Sequence, residues 1–180
     1  MSSLLSIQEI RSLPKIDLHR HLDCSMRWST MLEIASTLNL DFPQSAQAQY
    51  DHFLVTKPMN NLEQVLSKFL TSQKLLGSTE ILERLAFEAC EDAFNDGVRI
   101  LELRYAPTYI AGGHSHLNFE NIHASLLKGI ANAQLKFKMA VGLICIVQRN
   151  LPLEKAAHVT DFAIENKKTF LALDLADNED

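Results

Sequence analysis

The sequence predicts an α/β fold in which helices cover a parallel β-sheet. Short apolar stretches that fit β-strands alternate along the chain with amphipathic stretches of helical length. No tandem repeat and no linker rich in proline, glycine or serine divides these elements, so they form one unit. The four predicted strands lie at residues 15–20, 99–105, 139–147 and 170–175. The last two are almost continuously apolar, and we expect both to be buried.

The predicted helices near the start of the chain are short. Ser6 and Glu9 have the spacing of a capping box, and the helix that they open runs towards Leu13. A second helix covers about 29–38. The stretch 39–61, which contains two prolines and a glutamine-rich section, is predicted to be irregular.

The remaining four predicted helices have the clearest periodicity. Apolar residues recur three and four positions apart in each, and a glycine follows each of the first two where a helix would end. Ser78 or Thr79 can cap the second of the four. Their predicted ranges are 62–76, about 79–97, 122–137 and 152–166.

Polar side chains follow the predicted strands at their carboxyl ends. They are His19, His21, Arg104, Gln148 and Asp174. Strands joined by helices form right-handed parallel units, which bring these ends to one edge of the sheet. That arrangement fits the active-site rim of a barrel. An open doubly wound sheet remains an alternative, although no glycine-rich phosphate loop follows the first strand.

Composition excludes several classes of protein. The chain has 180 residues, of which 47% are hydrophobic and 22% charged, and its formal net charge is −5. These values indicate a globular protein that does not bind nucleic acid. The longest uncharged apolar run, 139–147, is far below the roughly 20 residues of a membrane helix. With no secretory signal and three widely spaced cysteines, we predict a cytoplasmic protein without membrane association.

His19 and His21 are the strongest candidates for metal ligands. Residues two apart on a strand point to the same face, so both imidazoles can converge on one ion. An H-x-H sequence also arises by chance among surface or core histidines. Its position at the end of the first strand favours a metal site.

Several segments together identify a family. The run L-P-K-I-D-L-H-R-H-L-D-C-S over residues 13–25 resembles the P-K-x-E/D-L-H-x-H-L-D/E-G-S opening motif of the adenosine deaminase family. Further segments are similar to family segments and follow in the family's order: Lys57-Pro-Met, 66–69, Glu102-Leu-Arg-Tyr-Ala-Pro and the final D-L-A-D-N-E of residues 174–179. On these motifs the chain is identified as a member of that family over nearly its whole length.

The resemblance implies a (β/α)8 TIM barrel of the metal-dependent hydrolase type and one catalytic Zn²⁺. It implies hydrolytic removal of the 6-amino group of adenosine or 2′-deoxyadenosine, a purine-salvage reaction that releases ammonia. His19 and His21 would be the first two metal ligands. The implied substrate-binding residues are His21, Asp23 and Asp177, with Asp23 on the ribose.

Alternatives to these roles remain open. Asp23 could be a turn or helix-capping residue. If it binds substrate, an aspartate at this position favours a nucleoside over adenine or another aminopurine. H-x-H after a first strand also occurs in other metal-dependent amidohydrolases. Phe69 could belong to the core or to an apolar lid over the pocket.

Two residues replace glycines of the family motifs. Cys24 follows Asp23 and is interpreted as a bystander, with oxidation or adventitious metal binding as alternatives. Asp177 replaces a glycine whose N–H faces a ring nitrogen of the purine in the family. Its added bulk and charge are expected to alter affinity or substrate choice.

The family's other catalytic residues follow the D-L-A-G-x-E motif, so we expect no catalytic residue within 1–180. A barrel takes roughly 250 residues, and four strands cover half of it. We therefore predict that 1–180 is the N-terminal part of a single catalytic domain, about four βα units with exposed strand edges. Its partners would be the C-terminal half or a second copy of the chain, and the alternative is a non-catalytic half-barrel.

The other candidate residues are assigned structural roles. Arg104 is predicted to form a buried ion pair. A second H-x-H, in the segment 112–116, is interpreted as a solvated polar loop. The three remaining histidines have no His or carboxylate at ligand spacing: His52, His123 and His158.

Overall fold

The computed structural model describes residues 5–40, 43 and 45–178, and for Thr71 the backbone alone. Four strands form one sheet: β1 (Lys15–His21), β2 (Val98–Tyr105), β3 (Ala140–Gln148) and β4 (Phe170–Ala176). They pair in chain order, and every pairing is parallel. The predicted strands and the predicted parallel sheet are therefore confirmed.

Helices connect the strands and cover one face of the sheet. The helices are α1 (Ile7–Ser12), α2 (Trp28–Thr37), α3 (Ala46–Phe53), α4 (Leu62–Gln73), α5 (Thr79–Asn95), α6 (Pro107–Ala111), α7 (Phe119–Lys136) and α8 (Leu153–Glu165). A short 3-10 turn, Leu22–Cys24, follows β1. None of the helices in the described part of the chain is long and apolar enough to cross a bilayer.

The helix starts predicted from capping residues are confirmed. The Ser6 side chain accepts a hydrogen bond from the Glu9 backbone N–H, and the Glu9 carboxylate accepts one from the Ser6 N–H, which completes a capping box. The Ser78 hydroxyl accepts from the Ile81 N–H at the start of α5.

The expectation that 39–61 is irregular is wrong over α3. The Ser45 side chain caps this helix by accepting from the Ala48 N–H. Phe53 is buried at its end and packs edge-on against Trp28, with ring centroids 5.6 Å apart. One buried apolar residue in eight gives no periodic signal, so α3 could not be seen in the pattern. Residues 41, 42 and 44 of the stretch lie outside the described part of the chain.

A second short helix, α6, follows β2 directly. The sequence pattern predicts no helix between the strand at 99–105 and the helix at 122–137. Pro107 is the first residue of this helix. Proline suits that position because its fixed φ is already helical and its missing N–H has no partner to lose there.

The hydrophobic core lies between the sheet and the helices that cover it. Leu101, Leu103 and Tyr105 of β2 and Leu143 and Cys145 of β3 are buried there. Helices α5 and α7 approach each other most closely at Gly129, where an added Cβ would lie 2.2 Å from the Glu83 carbonyl oxygen. Because both helices pack against the sheet, they hold β2 and β3, and therefore the ends of these strands, in place.

The prediction that the fourth strand is buried is wrong. Leu171, Leu173 and Leu175 are 66%, 48% and 53% exposed. The cause is the place of β4 at one edge of the sheet, with β3 as its single neighbour. At the other edge, Ile16 and Leu18 of β1 are similarly exposed. The expected exposed strand edges are therefore present at both sides of the sheet.

Candidate active site

A cavity of about 450 Å³ lies at the carboxyl ends of the strands. Residues in the last part of the strands or just after them form its floor, and α4 forms a side wall. The floor comprises His21, Asp23, Cys24, Ala106, Tyr109, Ile146, Gln148, Asn150, Ala176, Asp177 and Asn178, and the wall comprises Glu63, Leu66, Ser67, Phe69 and Leu70. The carboxyl ends of parallel strands are the usual place for a ligand site in barrels.

The two histidines of the first motif lie next to each other at the end of β1. Their ring centroids are 5.6 Å apart, and His21 faces the cavity while His19 is exposed beside it. Neighbouring imidazoles of this kind fit two ligands of one zinc ion. Among the described residues, no further His, Cys, Asp or Glu joins them to form a group of three. The described part of the chain therefore brings together two candidate metal ligands, and their role stays a prediction.

The surroundings of His21 favour the neutral form of its imidazole. Burial lowers the pKa of His21, and the charges of Arg104 and His19 lower it further, whereas Asp174 opposes them. A neutral imidazole keeps a lone pair free for a metal ion.

Asp23 lies in the 3-10 turn directly after β1. Its carboxylate accepts a hydrogen bond from the Ala106 backbone N–H at 3.3 Å and lies 3.8 Å from Nδ1 of His21. Burial raises the pKa of Asp23 to about 6. Asp23 therefore does lie in a turn, as in the structural alternative considered for it, but its carboxylate also lines the cavity. Its role on a ribose stays a prediction.

Arg104 forms the buried ion pair predicted for it. It donates a 2.5 Å hydrogen bond to the Asp174 carboxylate across the sheet. Its Nε is buried and has no hydrogen-bond partner among the described residues. Arg104 is the pairing partner of His21 in the sheet, and its charge helps to lower the pKa of His21.

Asp177 is joined to β3 and α6 by a chain of hydrogen bonds. Gln148 Nε2 donates to Asp177 Oδ2 at 2.7 Å, and Thr108 Oγ1 donates to Gln148 Oε1 at 2.6 Å. The φ angle of Asp177 is +94°, in the range that favours glycine. Gln148 carries no sequence signal for this role beyond its place at a strand end.

Helix α4 gives the cavity an apolar wall through Leu66, Phe69 and Leu70. The Tyr109 hydroxyl donates to the Phe69 carbonyl, and Gln73 Nε2 donates to the Tyr109 carbonyl at 3.2 Å. The position of Phe69 fits the lid alternative better than the core alternative, because its side chain is only half-buried and faces the cavity. Tyr109 carries no sequence signal except that it follows the second strand.

The surroundings of the Cys24 side chain disfavour its ionised thiolate form. Desolvation of the thiol and the nearby charge of Asp23 raise its pKa although the residue as a whole is exposed, and Sγ donates a weak 3.6 Å hydrogen bond to Asp23 Oδ1. A raised pKa makes a cysteine less reactive. This agrees with the bystander interpretation of Cys24.

The second H-x-H lies in a turn after α6 in which His116 is exposed and His114 is half-buried, in agreement with the predicted solvated polar loop. His114 Nε2 lies 3.1 Å from the Gln73 carbonyl oxygen, and His116 Nε2 lies 2.7 Å from that of Gly77. The His114 contact is thus made at the last residue of α4, and the His116 contact in the segment between α4 and α5. They lie outside the cavity lining.

His123 belongs to the core. Its Nδ1 lies 2.9 Å from the Tyr105 hydroxyl and its Nε2 2.7 Å from the Thr169 hydroxyl, and its ring stacks on Phe170. Burial lowers the pKa of His123 to about 4. Both imidazole nitrogens thus have partners in the core, which agrees with the structural role assigned to His123 from the sequence.

Comparison with known proteins gives consistent matches. A family profile described as adenosine deaminase matches residues 14–180. The chain is 34% identical over 173 residues to an adenosine deaminase of Clostridium botulinum, which covers 94% of the chain and 51% of that protein. It is 30% identical over 171 residues to an adenosine deaminase of Plasmodium falciparum, covering 94% of the chain and 46% of that protein.

Solved structures match the fold over the same extent. A zinc-bound amidohydrolase from Burkholderia ambifaria gives a TM-score of 0.84 at 22% identity, with 99% of this chain and 49% of that chain covered. An Arabidopsis N6-mAMP deaminase gives a TM-score of 0.77 at 27% identity, with 96% of this chain and 53% of that chain covered. Arabidopsis ADAL complexed with GMP also gives a TM-score of 0.77 at 27% identity, with 96% of this chain and 52% of that chain covered. The chain spans about half the length of the relatives that it matches, and its four βα units correspond to half of a TIM barrel.

Proposed function

The chain belongs to the adenosine deaminase family, and from this premise we propose that it forms the metal- and substrate-binding N-terminal half of a zinc-dependent hydrolase. The proposed reaction converts adenosine or 2′-deoxyadenosine to the corresponding inosine nucleoside and ammonia. The observation that carries the proposal is the shared position of His21 and Asp23 in one cavity, with His19 beside them.

His19 and His21 would hold the zinc ion together with ligands from beyond this chain. When bound, zinc lowers the pKa of water and so supplies a nucleophile for C6 of the purine. Burial and the charge of Arg104 lower the pKa of His21 and so favour the neutral imidazole, whose lone pair can bind the ion. The raised pKa of Asp23 leaves part of its population protonated near neutral pH, so its carboxyl can either accept from or donate to a sugar hydroxyl.

The volume and the apolar wall of the cavity suit the remainder of a nucleoside, beyond the groups near zinc and Asp23. A volume of about 450 Å³ falls within the usual range for small-ligand sites. Leu66 and Phe69 on α4 offer an apolar surface against which a purine packs and from which water is excluded.

A nucleoside monophosphate is the second candidate, since some of the similar structures contain IMP or GMP. The charges of the cavity favour the nucleoside. Asp23, Glu63 and Asp177 line it, and no lysine or arginine is among the described lining residues. Phosphate groups are usually bound by arginine, lysine or a helix N-terminus.

The exposed edges β1 and β4 support a partner that completes the barrel. Strand edges with free backbone groups pair readily with further strands, and the exposed apolar residues of both edges would become buried in that pairing. We assign this role first to a C-terminal half of the same catalytic domain. A second copy of the chain is the alternative, and sedimentation of residues 1–180 distinguishes a dimer from a monomer.

The test measures ammonia release by the zinc-loaded complete gene product and by residues 1–180 alone. We expect the complete product to hydrolyse adenosine and 2′-deoxyadenosine at least about tenfold faster, as kcat/KM, than adenine or AMP. Residues 1–180 alone are expected to give no turnover. Faster hydrolysis of AMP or adenine would contradict the substrate assignment, and turnover by residues 1–180 would contradict the need for a partner half.

A further inference from the structure

Asp177 occupies a strained backbone position in the cavity. Its φ of +94° is one that residues with a Cβ rarely adopt, and the family motif has glycine at this place. Strain of this kind is retained where the side chain has a role that glycine cannot perform.

The carboxylate of Asp177 is held in a fixed position. Oδ2 accepts from Gln148, which is itself oriented by the Thr108 hydroxyl, and Oδ1 accepts from the Asn178 backbone N–H at 2.7 Å. A carboxylate has about four acceptor positions, so these bonds leave acceptor capacity for a ligand. Because Asp177 lines the cavity, that capacity is available to a ligand bound there.

The chemistry of the purine base determines which of its groups can face the Asp177 carboxylate. Toward a fixed carboxylate, a ring nitrogen lone pair is repelled and an N–H group is attracted. In the proposed reaction the 6-amino group must lie near His19 and His21, so a donor for Asp177 has to come from another edge of the purine. The 2-amino group is the simplest donor on that ring.

We propose that Asp177 is a specificity-determining residue that accepts a hydrogen bond from the 2-amino group of a purine nucleoside. The site would thus prefer 2-aminopurine nucleosides, such as 2-aminoadenosine, over adenosine. This inference rests on the proposed function, because it assumes that the cavity binds a purine nucleoside. Gln148 acts as a positioning residue that keeps the carboxylate in place.

Equilibrium binding of two probes to the 180-residue chain tests the inference. Purine riboside and 2-aminopurine riboside differ only in the 2-amino group, and neither carries a 6-amino group that could be removed. By calorimetry, we expect the wild-type chain to bind 2-aminopurine riboside about tenfold more tightly, as one hydrogen bond to a charged group provides. Asp177→Gly should reduce this ratio to about one, and Asp177→Asn should give an intermediate ratio, as expected from a neutral acceptor.

Glu63→Gln is the matched control, because it removes a carboxylate from the α4 wall of the same cavity. It should leave the ratio of the two dissociation constants unchanged. Equal affinities in the wild type, an unchanged ratio in Asp177→Gly, or an equal loss in Glu63→Gln would each overturn the inference while leaving nucleoside binding intact. Failure of both probes to bind the wild type and Asp177→Gly would instead contradict the proposed function, and the inference with it.

Discussion

The Arg104 guanidinium on β2 donates a 2.5 Å hydrogen bond to the Asp174 carboxylate on β4, with β3 between the two strands. The pair therefore connects three strands at the face of the sheet that carries His21. Arg104 is almost fully buried, whereas Asp174 keeps some contact with solvent.

Arg104→Met should destabilise the chain by about 2–3 kcal/mol. The substitution keeps most of the side-chain volume but leaves the Asp174 carboxylate partly buried without its cation. The free energy of unfolding, measured by urea denaturation, checks this value. Lys128→Met is the control, because Lys128 is highly exposed in its ion pair with Glu83, and its loss should change stability by less than about 0.5 kcal/mol. Equal effects of the two substitutions would contradict a special role for the Arg104–Asp174 pair.

The fold could be predicted where local pattern and tertiary environment agree. Strand β2 and helices α5 and α7 were predicted because each has a regular apolar face that is buried, and β3 because its continuous apolar run is buried. Helix α3 has no such face, so it could not be predicted. Burial of β4 was predicted wrongly, since an apolar sequence shows that a strand can be buried and not whether a neighbour covers it.

The candidate site could be predicted only where its residues share a motif. His19, His21 and Asp23 lie within five residues of sequence, so their proximity follows from one strand and one turn. Gln148 and Asp177 are 29 residues apart, and their hydrogen bond exists because two strands end side by side. The anchoring of His114 on the Gln73 carbonyl depends in the same way on tertiary structure.

His19→Ala should lower the zinc affinity of the chain by about tenfold or more. The chain brings two neighbouring imidazoles to one place, and no larger group of potential ligands occurs among the described residues to replace one that is lost. Competition with a chromogenic chelator measures the dissociation constant. His116→Ala is the control from the second H-x-H, where the imidazole is bonded to the Gly77 carbonyl. A similar loss of affinity in both variants would show that zinc binds to histidines without selecting the first pair.

Acidification should destabilise the chain through His123. Its pKa falls from 6.5, the value expected in the unfolded chain, to about 4 in the fold. Below about pH 6.5 the unfolded chain therefore takes up a proton that the folded chain does not, and stability is lost until about pH 4. The contribution between about pH 7 and pH 5 is close to 2 kcal/mol.

His123→Gln removes this titration and isolates its contribution. Urea denaturation at about pH 7 and about pH 5 should show a loss on acidification that is smaller by about 2 kcal/mol in the variant than in the wild type. The variant should also be less stable at neutral pH, because it loses the stacking of the imidazole on Phe170. The same pH dependence in both proteins would show that His123 takes up a proton in the folded chain.

Gly129→Ala should destabilise the chain although alanine favours helices. At an exposed helical position this change would add about 1 kcal/mol of stability. At Gly129 the new Cβ would lie 2.2 Å from the Glu83 carbonyl oxygen and 2.9 Å from Cβ of Ala86, so α7 must move away from α5. Overpacking of this kind costs about 1–3 kcal/mol and exceeds the gain in propensity. Ala124→Gly, at an exposed position of the same helix, is the matched control and should lower stability by about 1 kcal/mol through propensity alone. A Gly129→Ala variant with a higher free energy of unfolding than the wild type would contradict the close contact of the two helices.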